Sequence, residues 1–244
     1  IDEVPGDPWD GCDGGQIVEF RLDTGSGPPL ITEPAVAVFP GGEFAALWHG
    51  FMPDDSSGVM VRTFGANGVP AMSPKTVNSY SPGVQERPGA AALGAGSFVV
   101  VWDGPGDTDG DGVYGAVLDL QGNKLTVDFP VNTTTEGIQQ RAFPLALNGG
   151  GFLVAWQSQG QDGDLYGIFA QRFAEDGTKI GSEFQLNAGG TGNQIRPALA
   201  GTPGEGFIGV WQTNGPDGDG SGYAVVAGGF DYGGNPLAPE QVIN

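Results

Sequence analysis

The chain has 244 residues, of which 29 are acidic and only nine are lysine or arginine, so its formal net charge is −20. This balance excludes nucleic acid as a partner, because phosphate binding needs basic side chains. No apolar run approaches the length of a membrane span, so we expect no membrane insertion. The length suffices for a sizeable core and suits a single all-β domain.

Residues 1–32 carry a short version of a pattern that recurs later. Trp9-Asp10-Gly11 matches Trp102-Asp103-Gly104, and residues 17–22 and 30–31 are predicted as two short strands. Cys12 is the only cysteine, so no internal disulfide can form; we interpret it as a small residue beside Trp9, with an external pairing or a reactive thiol as the alternative. The first residue is Ile, so we expect a processed or partial product, and a cleaved signal peptide would fit.

Four of the five tryptophans recur at a nearly constant spacing. Trp48, Trp102, Trp156 and Trp211 lie 54, 54 and 55 residues apart, and each ends an apolar run that starts with Phe. A period of this length predicts a repeat architecture. A tryptophan that ends a buried strand belongs more often to the core than to a sugar-stacking surface, so we assign these four to the core.

Each repeat divides into four predicted strands, which we call A to D. Strand A is represented by residues 196–200, and strand B is the apolar run that ends at Trp156 in the third full repeat. An acidic loop leads to strand C at residues 166–173, a turn at Asp176-Gly177 follows, and strand D ends at Leu186-Asn187. Asp-Gly tolerates the positive φ of a tight hairpin. Four short antiparallel strands, repeated radially, describe a β-propeller blade.

The predicted fold is therefore all-β: one propeller domain over residues 1–244, with an N-terminal half blade and four full blades. A five-blade ring would lack two strands, and a four-blade ring would have two too many. The sequence leaves three explanations open: a preceding segment has been removed, a partner supplies the missing strands, or the extra hairpin caps the ring. Because an open sheet edge favours aggregation, we predict that residues 17–22 pair with residues 237–244 or with a second polypeptide. The boundaries are 1–32 for the partial blade and 33–80, 86–132, 141–187 and 195–244 for the full blades.

Acidic loops follow the repeated tryptophan and indicate calcium. Alternating carboxylates and a glycine match the first half of a calcium loop, although Leu118 stands where a bidentate Glu would complete it. The other loops carry fewer acids, and that at Asp54-Asp55 is the weakest candidate. Ordinary turn residues and adaptation to salt are the alternatives. The predicted Ca²⁺ ligands are Asp103, Asp107, Asp109, Asp111, Asp162, Asp164, Asp217 and Asp219.

A Gln-x-Arg motif precedes strand A in three repeats. It occurs as residues 85–87, 139–141 and 194–196, and the strand topology places it on the same face as the acidic loops. We interpret each arginine as a structural partner of an acidic loop or of strand carbonyls, with binding of a carboxylate or a sugar as the alternative.

Signals for catalysis are weak. His49 is the only histidine, so the sequence has too few histidine and cysteine residues for a His-dependent catalytic triad or a zinc site. The sequence does not exclude a pair of carboxylates that hydrolyses glycosides, because it contains many aspartates. The acids follow the repeat, however, whereas catalysis needs a singular site, so we expect no enzyme.

Residues 156–173, followed by Asp176-Gly177 and residues 183–187, resemble a tandem repeat of large secreted and cell-surface bacterial proteins. More distantly, the acidic loop resembles the calcium loops of integrin-type FG-GAP propellers. The resemblance covers residues 33–244 and implies an extracellular location and a binding or scaffold role. The leading hypothesis is an extracellular calcium-binding propeller that acts as a structural, adhesive or assembly module, with other protein chains or surface glycans as partners. The alternatives are a carbohydrate-binding, lectin-like propeller and a polysaccharide-active enzyme.

Overall fold

The computed structural model describes residues 31–52, 55–106, 110–189, 191–214 and 222–243. In these ranges the chain forms sixteen β-strands and a single 3-10 turn at Gly94–Gly96. None of the described residues form a helix long and apolar enough to cross a bilayer. The half-blade strand predicted at residues 17–22 lies outside the described ranges.

The strands form four separate sheets, each of four consecutive antiparallel strands, which we call blades 1 to 4. The all-β propeller prediction is confirmed. Blade 1 comprises β1 (Ile31–Val38), β2 (Phe44–Met52), β3 (Asp55–Phe64) and β4 (Lys75–Thr76). Blade 2 comprises β5 (Glu86–Ala92), β6 (Ser97–Pro105), β7 (Asp111–Asp119) and β8 (Phe129–Pro130). Blade 3 comprises β9 (Gln139–Ala146), β10 (Phe152–Gln159), β11 (Tyr166–Phe173) and β12 (Lys179–Gln185). Blade 4 comprises β13 (Gln194–Gly201), β14 (Gly206–Thr213), β15 (Ala224–Asp231) and β16 (Pro236–Val242).

Blade 1 begins two residues before the expected boundary at residue 33. Ile31 pairs with Gly50 of β2, so it opens the inner strand of blade 1 and does not end a preceding half blade. The sequence placed Ile31 in the earlier unit because an apolar residue there resembles the apolar ends of the later D strands.

The second strand of each blade is apolar at nearly every position because its two faces enter different interfaces. On β10, Phe152, Val154 and Trp156 pack toward blade 2, whereas Leu153 and Ala155 pack toward blade 4. All seven residues from Phe152 to Ser158 are buried. The assignment of the repeated tryptophans to the core is consistent with this burial, since Trp48, Trp102, Trp156 and Trp211 are all buried.

In the part of the chain that the structure describes, the core consists of three interfaces between neighbouring blades: 1 with 2, 2 with 3, and 3 with 4. Within the described part of the chain, no comparable cluster joins blade 4 to blade 1. Blades 1 and 4 both carry exposed apolar side chains. Val36 and Val38 lie on blade 1, and Ile208 and Ile243 lie on the blade 4 side.

The connections between the third and fourth strands are longer than the predicted two-residue turns. In blade 3, residues 174–178 join β11 to β12, and the Gly177 N–H donates to Ala174 O at 3.0 Å. Gly177 has φ 79°, as the Asp-Gly pattern predicts. Asp176 accepts the Thr178 N–H at 2.9 Å, so the aspartate closes the turn through its side chain.

Candidate active site

The inner strands β1, β5, β9 and β13 pack in succession around the axis. Each has a β-bulge at the same position in its repeat. The bulge places a non-glycine residue in the left-handed region of the backbone, with φ between 51° and 59°. These four residues are Glu33, Arg87, Arg141 and Arg196. The period predicted the three arginines; Glu33 was missed, although it lies 54 residues before Arg87.

A left-handed conformation at a non-glycine residue costs about 1–3 kcal/mol and persists only where the surroundings enforce it. Here a side chain from the preceding blade accepts the backbone N–H of each arginine. Arg87 donates to Glu33 Oε2 at 2.8 Å, and Arg141 donates to Asp103 Oδ2 at 2.8 Å. Arg196 donates to Gln157 Oε1 at 3.0 Å. The bulges are thus held by bonds between blades.

The glutamine of Gln-x-Arg is buried and fixes the start of the same strand. In blade 3, Gln139 Oε1 accepts from Asn132 Nδ2 at 3.3 Å, and Asn132 Oδ1 accepts the Val113 N–H at 2.8 Å. This Asn–Gln pair therefore links the end of one blade to the first strand of the next. The same pair occurs as Asn78 with Gln85 and as Asn187 with Gln194.

The bulge residues line a cavity of about 510 Å³ on the axis, which we call the axial pocket. Its charged side chains are one glutamate and three arginines. The lining residues are Glu33, Pro34, Arg87, Pro88, Arg141, Ala142, Arg196 and Pro197. This composition differs from that of the whole chain, since three of its six arginines meet here.

Arg87 is surrounded by acids. Its Nη1 lies 3.1 Å from Asp103 Oδ2, its Nε lies 3.8 Å from Glu33 Oε1, and its Nη2 contacts Glu86. Nη1 also donates to Gln140 Oε1 at 3.2 Å. Burial works to lower the pKa of Arg87, but the hydrogen bond and charge of Asp103 outweigh it, so the pKa lies above its usual value.

Asp103 lies beneath Arg87 and is only 1% exposed. Burial raises the pKa of Asp103 to about 7, although the Arg141 N–H and the Arg87 guanidinium both oppose the shift. Its Oδ1 is buried without a hydrogen-bond partner among the described atoms. With this pKa, the Asp103 carboxyl group gains or loses its proton near neutral pH.

Arg141 and Arg196 differ from Arg87 in that their side chains are exposed. Neither guanidinium has an ion-pair partner among the residues that the structure describes. The two residues occupy equivalent positions on the neighbouring strands β9 and β13. Among the described residues, the axial pocket thus has one arginine with acidic partners and two without.

The predicted calcium ligands do not converge in the described residues. Asp103 is engaged by the arginines, and Asp111 opens β7 opposite Pro105. Asp162 Oδ1 accepts the Asp164 N–H at 3.3 Å, and Asp164 Oδ2 accepts the Gly192 N–H at 2.9 Å. Across the described ranges, no three His, Cys, Asp or Glu side chains are grouped to hold a metal. Asp107, Asp109, Asp217 and Asp219 lie outside those ranges, and Ca²⁺ binding stays a prediction.

His49 occupies the position after Trp48 that Asp103 holds after Trp102. Its two ring nitrogens form hydrogen bonds with Thr32, at 3.1 Å, and with Ser57. These bonds join the first three strands of blade 1. His49 therefore links strands within one blade, whereas Asp103 links two blades.

No family model matches the chain, and no curated protein matches it. Solved structures share its fold. An endo-arabinase from Bacteroides thetaiotaomicron VPI-5482 is 15% identical with a TM-score of 0.55, over 87% of this chain and 80% of that one. An α-L-arabinofuranosidase from Lactobacillus brevis is 12% identical with a TM-score of 0.55, over 87% and 72%. The catalytic domain of a Coprinopsis cinerea GH62 α-L-arabinofuranosidase is 8% identical with a TM-score of 0.53, over 93% and 72%.

The comparison corrects the functional hypothesis drawn from the sequence. The prediction of a calcium-binding structural, adhesive or assembly module was wrong, as was the expectation that the chain is not an enzyme, because these similar propellers are polysaccharide-active enzymes. The physical reason for the error lies in the repeat. We took periodic acids as evidence against a singular site, but Glu33 and Asp103 break the period where the four blades meet.

Proposed function

We propose that the chain is a polysaccharide-active enzyme, a glycoside hydrolase, that binds its substrate in the axial pocket. The supporting observation is that Glu33 and Asp103, two carboxyl groups in different environments, contact the same guanidinium at this pocket. Two carboxyl groups at the scissile bond are what most glycoside hydrolases use. Glycoside hydrolases also share the fold, which supports the proposal without assigning residues.

The environments of the two carboxyl groups suggest their roles. Glu33, whose side chain is 37% exposed, faces the pocket and serves as the base or nucleophile. Asp103 has a pKa of about 7, so it retains a proton near neutral pH and serves as the general acid. Hydrolysis breaks the bond between the anomeric carbon and the leaving oxygen. Asp103 gives its proton to that oxygen, the anomeric carbon gains the oxygen of water, and Glu33 takes up the proton that the water loses. Because Asp103 is buried, its contact with substrate requires the Arg87 side chain to move aside.

The experiment is a turnover screen of the purified chain against arabinan, xylan, arabinoxylan and pectic polysaccharides. Reducing ends are measured for the wild type, Glu33→Gln and Asp103→Asn. Glu205→Gln is the matched control, because Glu205 is exposed on the β13–β14 connection and its substitution changes the charge equally. We expect both pocket variants to lose at least about a hundredfold in kcat, as removal of a general acid or base does.

The outcomes separate enzyme from binding protein. Equal turnover by all four proteins would place the chemistry elsewhere, and no turnover of any glycan would refute the proposal. Saccharide binding at the axial pocket without turnover would favour the carbohydrate-binding alternative. An extracellular location and glycan partners are part of this proposal, and the resemblance of residues 33–244 to repeats of secreted bacterial proteins supports them. Secretion is checked by fractionation of the source cells.

A further inference from the structure

The axial pocket is positively charged in a strongly acidic chain. The protein carries a net charge of −20, and three of its nine basic residues line this one cavity. Arg87 is neutralised by the carboxylates of Glu86 and Glu33, and it also donates a hydrogen bond to Asp103. Arg141 and Arg196 remain, exposed and without an acidic partner in the described ranges. A pocket that gathers arginine side chains in an otherwise acidic protein attracts anions at that one place on the surface.

The two arginines are held in place by their backbone. Each sits at a bulge with positive φ, 59° for Arg141 and 57° for Arg196, and each donates its N–H to a buried side chain of the preceding blade. Asp103 and Gln157, the acceptors, are 1% and 3% exposed. Little backbone entropy therefore remains to be lost when a ligand binds.

We propose that Arg141 and Arg196 together bind the carboxylate of a uronic acid unit, so that the substrate is an acidic polysaccharide. This inference rests on the proposed function, since it concerns the same pocket. A guanidinium presents parallel N–H donors that match the two oxygens of a carboxylate. A neutral sugar would leave both cations without a counter-charge.

The experiment compares three oligosaccharide probes by isothermal titration calorimetry. Oligogalacturonate supplies carboxylates, its methyl ester supplies the same sugar without charge, and a sulfated oligogalactan supplies a different anion. The titrated proteins are the wild type, Arg141→Gln, Arg196→Gln, Arg196→Lys and the control Lys75→Gln. Lys75 lies on an exposed surface, where its Nζ donates to Gln121 O at 2.7 Å, so its variant has the same charge change away from the pocket.

We expect oligogalacturonate to bind at least tenfold more tightly than its methyl ester. Each Arg→Gln variant should weaken this binding by about tenfold or more, the effect of one charge-assisted hydrogen-bonded pair. Arg196→Lys should bind more tightly than Arg196→Gln but less tightly than the wild type, because lysine keeps the positive charge and lacks the paired N–H donors of the guanidinium. Lys75→Gln should bind as the wild type does. Thermal unfolding of every variant establishes that it is folded.

Equal affinity for the acid and its ester, or tighter binding of the sulfated probe, would overturn the inference. So would wild-type affinity in both Arg→Gln variants, or no binding of oligogalacturonate. The proposed function fails separately: acidic probes that bind through the arginines but are never cleaved would refute the enzyme and leave the uronate site. Turnover of neutral glycans alone would support the enzyme and refute the uronate site.

Discussion

Arg141 donates its backbone N–H to Asp103 Oδ2 at 2.8 Å, and this bond joins the inner strand of blade 3 to the second strand of blade 2. The same oxygen accepts from Arg87 Nη1 at 3.1 Å. One buried carboxylate oxygen thus fixes the left-handed backbone of one pocket arginine and the side chain of another. Asp103 therefore contributes to both the stability and the geometry of the pocket.

Stability should fall as pH rises from 5 to 8 because of Asp103. Its pKa is about 7 when folded and near 3.8 when unfolded, so the folded chain holds an extra proton between these values. This favourable contribution is complete below pH 4 and is lost as pH rises through 7, by about 4 kcal/mol in total, of which roughly 3 kcal/mol falls between pH 5 and pH 8. Urea unfolding at pH 5 and pH 8 measures it. Asp103→Asn should lose this part of the pH dependence; an unchanged profile would assign it to other groups.

Gln139→Ala should destabilise the chain by about 1–3 kcal/mol, because it leaves the buried amide of Asn132 without one partner. Gln139 itself is fully buried and also donates to Glu136 O at 2.9 Å. The control is Gln121→Ala at an exposed turn, which should change the free energy of unfolding by less than about 0.5 kcal/mol. Chemical denaturation of the two variants gives the comparison. Similar values for both would show that the Asn–Gln pair adds no stability.

Gly151→Ala should be strongly destabilising, by roughly 2 kcal/mol or more. Gly151 has φ 75°, and a Cβ there would lie 2.3 Å from Phe173 O of the neighbouring strand. Gly201→Ala is the control, since a Cβ at Gly201 meets nothing within 4 Å. Differential scanning calorimetry should show a lower Tm for the first variant only. A near-wild-type Tm for Gly151→Ala would mean that the strand edge shifts at little cost.

We predict that residues 17–22 pair with another strand, and β16 (Pro236–Val242) is the partner within the chain. An unpaired strand edge is a liability that native proteins cover. Hydrogen exchange at residues 17–22, together with native mass measurement, tests this pairing. Slow exchange in a monomer means closure within the chain, and slow exchange in a larger particle means assembly. Fast exchange in a monomer would contradict the pairing.

The fold was predictable from sequence because its physical signals repeat. The Phe-to-Trp run recurs four times, and burial of such a strand on both faces explains why it is apolar throughout. The Gln-x-Arg period located three of the four bulge residues of the pocket. Those bulges themselves were not predictable, since arginine carries no preference for positive φ, and the tethers that enforce it come from the preceding blade.

The chemistry of the acids was harder to predict, because it depends on burial. Asp103 and Asp111 belong to one acidic loop in the sequence, yet Asp103 points into a blade interface and Asp111 begins a strand. The repeat spacing could have identified Glu33, because it is the one acidic residue at a position that arginine occupies in the other three blades. A deviation from the repeat was therefore more informative about the pocket than the repeat.

The division of the core into three interfaces has a consequence for unfolding. Blades 2 and 3 are supported on both sides, whereas blades 1 and 4 each have one supporting interface among the described residues. In repeat architectures the stability of each unit depends on its interfaces with its neighbours. Arg141 and Arg196 lie on the inner strands of blades 3 and 4, so a saccharide bound by both side chains would stabilise the interface between these two blades by linkage.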